Sequence, residues 1–411
     1  MLIFLFCSTS LAYSTEKMAA LHDRLMWKYP ADFRGRSLPL EEYIKASNPF
    51  DVHNYLHFFS SIAEADFSAR LVEIARLEQG RKFSKRKIQL EMPRAARFSP
   101  YTPAKVDCAI SSCELSFEQP LASNGYFANF RDSIWSDKLW KSQPGLRQDS
   151  QLFVVAMLES PENSREWAMR ARDLKVDALV SYRTDSDAYH PFYGWASRKP
   201  SSSSFASSPV KQNVAYWMVS GCKRRRVNFV EKLAKFFPNS IHVYGNCKVE
   251  NALNFEPPIS RVAELANPIG AEKMLKKVAD RYYFYLALEN SRCKDYITEK
   301  VWRGLKFSHV PIVNSGLTSE DVVKRVPPRS ILHLDDFESI DELGDYLQYL
   351  IDHPEKYGQY HEWRDHFEII NPEMNHSAEY FCAICDQVAL KLDKGGVTDL
   401  SKYWFEGTCR V

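Results

Sequence analysis

Short apolar runs alternate with helix-length segments through most of this chain, and that alternation constrains the fold more than any other feature. The runs have the length of buried strands and lie at residues 152–158, 178–182, 214–219, 241–244, 283–288, 310–313 and 331–334. Segments with helical character fall between them, among others at about 226–237, 271–280 and 341–352. Strands separated by such helices indicate βαβ units and a parallel sheet. The predicted fold class is therefore α/β.

A serine-rich stretch at 199–209, with a proline near each end, interrupts the alternation. Its composition is typical of an interdomain linker, so the two blocks predict two Rossmann-like domains that face a cleft. The predicted boundaries are 1–14 for a signal segment, 15–105 for a helical stem, 106–200 for the first domain, 201–210 for the linker, 211–372 for the second domain and 373–411 for a C-terminal segment with disulfide cysteines.

The N-terminal residues 1–12 are apolar but too short for a membrane-spanning helix, which needs about 20 residues. They predict a signal peptide or a short signal anchor. The amphipathic stretches and the absence of strand alternation predict a helical stem at 15–105. A net charge of +2, from 54 basic and 52 acidic side chains, provides no broad basic field, so we expect no nucleic-acid partner.

The cysteine content also suits the secretory pathway. Without Cys7, an even set of eight cysteines remains, which favours disulfides although eight cysteines allow 105 pairings. The CxxC pair at 382–385 leaves half of a zinc site or a redox motif as the alternative. Asn375 begins a glycosylation sequon. The candidate disulfide cysteines are Cys108, Cys113, Cys222, Cys247, Cys293, Cys382, Cys385 and Cys409.

Polar side chains are concentrated directly after the apolar run at 283–288. In doubly wound folds, ligands bind at the carboxyl ends of the strands and face helix N-termini, whose free N–H groups suit phosphate. Asp295 or Thr298 is suited to cap the next helix. Lys300 then supplies the counter-charge for a diphosphate, unless it forms an ordinary surface pair with its neighbour. The candidate ligand-binding residues are Glu289, Asn290, Tyr296, Glu299 and Lys300.

The segments 284–291 (FYLALENS) and 295–300 (DYITEK) together resemble the signature of the α1,3/α1,4-fucosyltransferase family, of the GT10 type. The similarity continues at 216–220, 241–245, 310–313 and 332–337, and in the first block at 159–161 (ESP) and 180–187 (VSYRTDSD). It covers roughly residues 106–410. Several of the cysteines resemble the branch that adds core α1,3-fucose, namely Cys108, Cys113, Cys222 and Cys293.

The resemblance implies a GT-B type fold, GDP-fucose as the donor substrate and an N-acetylglucosamine-containing glycan or glycoprotein as the acceptor. By the same resemblance, Glu159 corresponds to the general base of an inverting α1,3-fucosyl transfer, and Arg226 to an arginine that contacts the donor diphosphate. Tyr296, Glu299 and Lys300 correspond to donor-binding residues. An inverting displacement needs one carboxylate to take the acceptor proton, and the departing GDP needs positive charge more than a proton.

Other implied features concern the acceptor side, cations and location. Arg131, Arg183 and Asp187 are the acceptor-side candidates; the alternative for the DSD segment that ends at Asp187 is a metal site. We expect no tightly bound cofactor and no dedicated metal site, with Mn²⁺ or Mg²⁺ acting as a stimulant. The expected location is the Golgi lumen, as a secreted form or as a type II protein held at the Golgi membrane by an N-terminal anchor.

One position departs from the family, which commonly has Asn-Ala where this chain has Arg303 and Gly304. Two alternative functions therefore stay open: a catalytically silent glycan-binding relative, and another nucleotide-sugar transferase on the same fold. The presence together of Glu159, Arg226 and the Glu299–Lys300 pair favours the active fucosyltransferase.

Overall fold

The computed structural model describes part of the chain. The described residues are 15–26, 85–91, 105–108, 111–116, 125–129, 152–157, 159–164, 178–183, 186, 188–189, 194–198, 211–255, 275–323, 325–370, 385, 389 and 400–409. Arg131, Asp187, Asn375 and Cys382 lie outside them, as do the signal segment and the linker. Among the helices in these ranges, none has the length and apolar character that a membrane span needs.

The first domain is built on a seven-stranded sheet. Its strands are β1 (Arg86–Glu91), β2 (Lys105–Asp107), β3 (Ser111–Ser116), β4 (Gly125–Asn129), β5 (Leu152–Met157), β6 (Ala178–Ser181) and β7 (Ala188–Tyr189). Their order is β2-β3-β1-β4-β5-β6-β7. Every neighbouring pair is parallel except β2 and β3. The apolar runs at 152–158 and 178–182 form β5 and β6, as the sequence predicts.

Strand β1 differs from the expectation of a helical stem at 15–105, and Lys105 already belongs to β2. The strand lies inside the sheet, paired with β3 on one side and β4 on the other. Its sequence is RKIQLE, in which basic and polar residues interrupt the apolar ones, and Ile88 is fully buried. Such a short strand carries little periodic signal, so the sheet rather than the local sequence determines it.

The second domain is built on a six-stranded parallel sheet. Its strands are β9 (Asn213–Val219), β10 (Ile241–Gly245), β11 (Leu253–Phe255), β12 (Tyr282–Leu288), β13 (Val310–Asn314) and β14 (Leu332–His333). Their order is β11-β10-β9-β12-β13-β14. Numbered within the domain, this is 3-2-1-4-5-6, the order of the doubly wound dinucleotide-binding fold. Strands β9, β10, β12 and β13 are almost wholly buried, which explains their continuous apolar runs.

Helices cover this sheet and complete its core. The helices named in the described ranges are α1 (Thr15–Met26), α2 (Arg224–Phe236), α3 (Glu299–Lys306), α4 (Ser319–Val323), α5 (Ile340–Asp352), α6 (Pro354–Gln359) and α7 (Leu400–Phe405), of which α7 contacts the first domain. One core cluster joins side chains of α1, α2 and α5 to the sheet, among them Met18, Leu21, Trp217, Val230 and Leu347. Helix α1 therefore packs on the second domain, although the sequence placed it in a stem.

A small two-stranded sheet and disulfide bonds tie the domains and the C-terminal segment together. Strand β8 (Trp195–Arg198) pairs antiparallel with β15 (Phe367–Ile370). The disulfides are Cys113–Cys385, Cys222–Cys247 and Cys293–Cys409. Cys108 is also disulfide-bonded. The prediction of disulfides is confirmed for these cysteines, and Cys385 is not a zinc ligand because its sulfur is bonded to Cys113.

Candidate active site

The strand order of the second sheet reverses between β9 and β12, and this switch point places two chain segments side by side. Helix α2 begins just after β9, and a loop after β12 leads to α3. Both helix N-termini therefore lie at the carboxyl edge of the sheet, where doubly wound folds bind nucleotides. The predicted residues Arg226 and 289–300 belong to these two segments.

A buried hydrogen-bond network orders the start of α3. Thr298 is its N-cap residue, and its Oγ1 accepts from the backbone N–H of Lys300. Glu289, at the end of β12, accepts hydrogen bonds from the backbone N–H and from the hydroxyl of Thr298, at 2.8 and 2.7 Å. Only 1% of Glu289 is exposed. The carboxylate therefore shapes the loop between β12 and α3 instead of facing a ligand directly.

Lys300 lies at the edge of this network with its ammonium between two carboxylates. Its Nζ is 3.3 Å from Glu289 Oε2 and 2.9 Å from Glu299 Oε1, and it also donates to Thr298 Oγ1 at 2.8 Å. Burial raises the pKa of Glu289, and the positive charge of Lys300 opposes this. The pKa of Lys300 is raised, because the two carboxylates outweigh its desolvation. The lysine is held charged at a fixed position.

Arg226, in the first turn of α2, reaches across the switch point. Its guanidinium donates to the carbonyl oxygen of Leu288 at 3.1 Å and to that of Gly221, and it lies 5.6 Å above the Trp217 ring. Burial lowers the pKa of Arg226, an effect that the nearby Glu289 opposes. Arg226 thus connects the segment that follows β9 to the end of β12 through hydrogen bonds.

Two buried polar atoms at the switch point have no hydrogen-bond partner within the described ranges: Arg226 Nε and Asn290 Oδ1. Buried polar atoms are nearly always satisfied, so each exception requires an explanation. One is a donor and the other an acceptor, which fits a ligand that has both anionic oxygens and hydroxyl groups. Arg226 and Asn290 therefore contribute open hydrogen-bonding capacity at this edge, and Arg226 and Lys300 contribute positive charge.

Glu159 of the first domain meets this edge from the other side of the cleft. The Tyr296 hydroxyl donates to Glu159 Oε2 at 3.1 Å, and the neighbouring Ser160 hydroxyl donates to Ser291 Oγ at 2.6 Å. Glu159 is partly exposed, whereas both serines are fully buried. The structure thus brings the predicted base and the predicted donor loop together. Ser160 and Ser291 were not predicted as contacts between the domains, although both lie inside the quoted motifs.

An ion pair between Asp295 and Arg325 stabilises the loop between β12 and α3. Asp295 adopts a left-handed backbone conformation with φ of 61°, and its carboxylate accepts from Arg325 Nη2 at 2.6 Å. Asparagine and aspartate tolerate this conformation better than other non-glycine residues. The N-cap is Thr298, so of the two predicted capping residues, Asp295 serves the loop instead.

Arg183, one of the acceptor-side candidates, contacts the C-terminal segment. It is buried, its Nη1 donates to the Tyr403 carbonyl at 2.5 Å, and its guanidinium lies 3.9 Å above the Tyr403 ring. These contacts join the first domain to α7.

Within the described residues, one group of side chains brings metal-ligating atoms close together: Glu162 with Cys293 and Cys409. The two sulfurs are bonded to each other, so this group is a disulfide beside a carboxylate.

Two Rossmann-like sheets, with a switch-point site in one and a carboxylate that meets it from the other, define the GT-B class of protein. Residues 208–403 match the family described as "Glycosyltransferase family 10 (fucosyltransferase) C-term". A human protein named 4-galactosyl-N-acetylglucosaminide 3-alpha-L-fucosyltransferase FUT6 is 30% identical over 296 residues, which cover 70% of this chain and 73% of that protein. The chain belongs to glycosyltransferase family 10, the fucosyltransferases.

Two invertebrate relatives are similar over a smaller share of their own length. The Drosophila melanogaster protein named Glycoprotein 3-alpha-L-fucosyltransferase A is 29% identical over 73% of this chain and 56% of its own. The Caenorhabditis elegans protein Alpha-(1,3)-fucosyltransferase fut-1 is 30% identical over 57% of this chain and 53% of its own. The chain thus spans little more than half the length of these two proteins. A solved α1,3-fucosyltransferase structure aligns over 81% of this chain and 98% of that one, with 16% identity and a TM-score of 0.46.

Proposed function

We propose that this protein transfers L-fucose from GDP-fucose to an N-acetylglucosamine-containing glycan through an inverting α1,3-fucosyl transfer. The observation that carries the proposal is the 3.1 Å hydrogen bond from Tyr296 to Glu159. It joins the one predicted base to the donor loop across the cleft. Family membership supports fucosyl transfer, and the relatives named above are fucosyltransferases.

Glu159 acts as the general base in this proposal. Inversion at the anomeric carbon requires the acceptor hydroxyl to attack from the face opposite the leaving group, while a carboxylate takes its proton. Glu159 is suited to this role because it lies on the first domain, faces the donor loop and keeps part of its surface exposed. The Tyr296 hydroxyl donates to one carboxylate oxygen and leaves the other for the acceptor.

The second domain binds the donor and stabilises the departing GDP. Lys300 and Arg226 supply two positive charges near the N-termini of α3 and α2, where a diphosphate is bound most favourably. Glu299 and Asn290 provide hydrogen-bond acceptors for sugar hydroxyls, while Arg226 Nε provides an unused donor. The leaving diphosphate is a stable anion, so charge stabilisation serves it better than protonation.

The proposal extends to the cellular setting. Disulfides persist in oxidising compartments, and the three disulfide pairs of the described residues, together with the disulfide-bonded Cys108, suit the Golgi lumen. The N-terminal apolar residues then act as a signal peptide or an anchor to the Golgi membrane, and Asn375 as a glycosylation site. Mn²⁺ or Mg²⁺ stimulates transfer in this proposal by neutralising the diphosphate, and dialysis against a chelator tests this part separately.

The decisive experiment incubates the protein with GDP-fucose and a panel of N-acetylglucosamine-containing glycans, and measures both GDP release and fucosylated product. We expect Glu159→Gln to abolish product formation, while GDP affinity measured by calorimetry stays within about twofold of wild type. The matched control is Glu162→Gln, which changes a more exposed carboxylate that forms an ion pair with Lys223 at 3.4 Å. This control should leave turnover unchanged.

Three outcomes would overturn the assignment. Normal turnover in Glu159→Gln removes this residue from the base role. Tight GDP binding by wild type without product from any glycan favours a silent glycan-binding relative, and product from a UDP-sugar instead of GDP-fucose favours another nucleotide-sugar transferase.

A further inference from the structure

The turn that follows Glu159 is closed by hydrogen bonds between its own residues, and its last residue is hydrogen-bonded to α7. The carbonyl oxygen of Ser160 accepts hydrogen bonds from the backbone N–H of Asn163 at 3.0 Å and from that of Ser164 at 2.9 Å. At the far end, the Ser164 hydroxyl accepts from the indole N–H of Trp404 at 2.9 Å. Trp404 is completely buried and Ser164 nearly so. A residue of α7 therefore determines where the turn at 160–164 lies.

Aromatic packing joins the same tryptophan to the donor loop. Tyr182 packs edge-on against Trp404, with ring centroids 5.6 Å apart, and against Tyr296, with centroids 5.0 Å apart. Tyr296 is the residue whose hydroxyl donates to Glu159. Arg183 then holds the backbone of α7 through its hydrogen bond to the Tyr403 carbonyl.

The chain beyond α7 is attached to the donor loop. Thr408 caps the helix by donating to the carbonyl oxygen of Trp404 at 2.8 Å. Its own carbonyl oxygen accepts from the backbone N–H of Lys294 at 2.6 Å, and the next residue forms the Cys293–Cys409 disulfide. Residues 400–409, which we call the C-terminal strap, thus contact the Glu159 turn at one end and are bonded to the donor loop at the other.

We propose that the C-terminal strap fixes the position of Glu159 relative to the donor loop, with Trp404 as the positioning residue. The contacts form a closed ring from Glu159 through Ser164, Trp404, Cys409 and Cys293 back to the loop that carries Tyr296. A catalytic group displaced by about 1 Å can lose as much as 10²-fold in rate without losing substrate affinity. The kinetic test of this inference rests on the proposed function, whereas the contacts that hold the C-terminal strap do not depend on it.

The test is Trp404→Phe in the full-length protein, which keeps an aromatic ring against Tyr182 but removes the indole N–H. We expect kcat to fall about tenfold, with the KM for GDP-fucose within about twofold of wild type. The matched control is Trp363→Phe. Trp363 is equally buried, but its indole N–H has no hydrogen-bond partner within the described residues. The control loses the same atoms and should keep its kcat.

A double-mutant cycle separates positioning from general loss of stability. Ser164→Ala removes the acceptor of the same hydrogen bond and also the donation from the Ser164 hydroxyl to the Ser160 carbonyl at 2.8 Å, so we expect it to lower kcat at least as much as Trp404→Phe does. The double variant should then be no slower than Ser164→Ala, because the hydrogen bond that Trp404→Phe breaks is already lost in that variant. Multiplying effects, or equal losses in Trp404→Phe and Trp363→Phe, would refute the positioning role.

Amide hydrogen exchange gives an answer that does not depend on activity. In Trp404→Phe we expect faster exchange at the amides of Asn163 and Ser164, which donate to the Ser160 carbonyl, than in wild type or in Trp363→Phe. Unchanged exchange there refutes the positioning role of the C-terminal strap, even if the protein transfers fucose. Conversely, faster exchange in a protein that transfers nothing retains the strap and rejects the proposed function.

Discussion

Lys300 shows how a single side chain is prepared for an anionic ligand. Its ammonium donates to Thr298, Glu299 and Glu289, and the last of these is fully buried. The arrangement costs desolvation of both charges, and their mutual attraction offsets that cost. Glu289 therefore holds the lysine and the N-cap in place. The motif revealed the residue types, and the structure shows which of them contact each other.

Lys300→Ala should weaken GDP-fucose binding and also lower the melting temperature. Breaking a buried pair by removing one partner leaves an uncompensated charge, at a cost of about 3–5 kcal/mol. The double variant Lys300→Ala with Glu289→Gln removes that stranded charge. It should therefore regain part of the lost stability but none of the donor affinity, as measured by calorimetry and thermal denaturation. Recovery of both would show that Lys300 has only a structural role.

The buried side chain of His361 predicts how the stability of the folded protein depends on pH. Burial lowers its pKa well below the usual value, Arg364 lowers it further, and its Nδ1 accepts a hydrogen bond from Arg364 Nε at 3.2 Å. Because the folded protein holds the imidazole neutral, the unfolded chain binds more protons once the pH falls below about 6.5. Stability is thus fully present above that pH and declines below it. His309, whose pKa is lowered in the same way, adds to this slope.

Melting temperatures between pH 7.5 and pH 5.5 test this prediction. His361→Gln keeps a hydrogen-bond acceptor for Arg364 but cannot titrate, so it should lose part of the decline and retain the part due to His309. An identical decline in the variant and in wild type would mean that His361 is not responsible.

At the scale of elements, α3 lies unusually close to the sheet beneath it. A Cβ added at Gly304 would lie 2.7 Å from Pro311 Cβ and 3.0 Å from Tyr285 Cδ1. Both neighbours are buried and belong to β13 and β12. The departure from the family at Arg303 and Gly304 is thus accommodated by packing: the missing methyl group allows α3, with Lys300 in its first turn, to approach the strands.

Gly304→Ala should lower the unfolding free energy by about 1–3 kcal/mol, because overpacking outweighs the better helix propensity of alanine. The control is Gly358→Ala in α6, where an added Cβ would meet nothing within 4 Å. That change should leave stability unchanged or raise it by about 0.4–1 kcal/mol. Denaturant unfolding of both variants measures the difference, and a stabilised Gly304→Ala would contradict the clash.

At the scale of the whole molecule, distant parts of the chain complete the second domain. His22 of α1 makes hydrogen bonds to the Tyr346 hydroxyl at 2.8 Å and to Gln359 Oε1 at 2.9 Å, while Arg329 donates to the Met26 carbonyl at 3.1 Å. The Cys113–Cys385 disulfide links residues 272 positions apart. The N-terminal helix therefore belongs to the folded core of the second domain.

Leu21→Ala should lower the unfolding free energy by about 2–5 kcal/mol, the usual cost of deleting a buried leucine side chain. Arg24→Ala changes an exposed residue of the same helix and should have little effect. Thermal and denaturant unfolding compare the two. Equal stability of both variants would indicate that α1 is a stem without a structural contribution.

The sequence by itself determined the parts whose signal is local. Strands β9, β10, β12 and β13 are buried on both faces, so their continuous apolar runs predicted them to within about one residue. The family motif at 284–300 is also a local signal, because its residues are adjacent in the chain and their order alone carries it.

Only the tertiary structure decided the features that depend on distant contacts. Strand β1, the docking of α1 and the choice among the cysteine pairings have weak or ambiguous local patterns, and the energy that selects them comes from packing and pairing across the fold. The contact between Glu159 and Tyr296 joins residues 137 positions apart. Their proximity arises because two separate sheets and the C-terminal strap hold the two loops against each other, and no local sequence pattern encodes that distance.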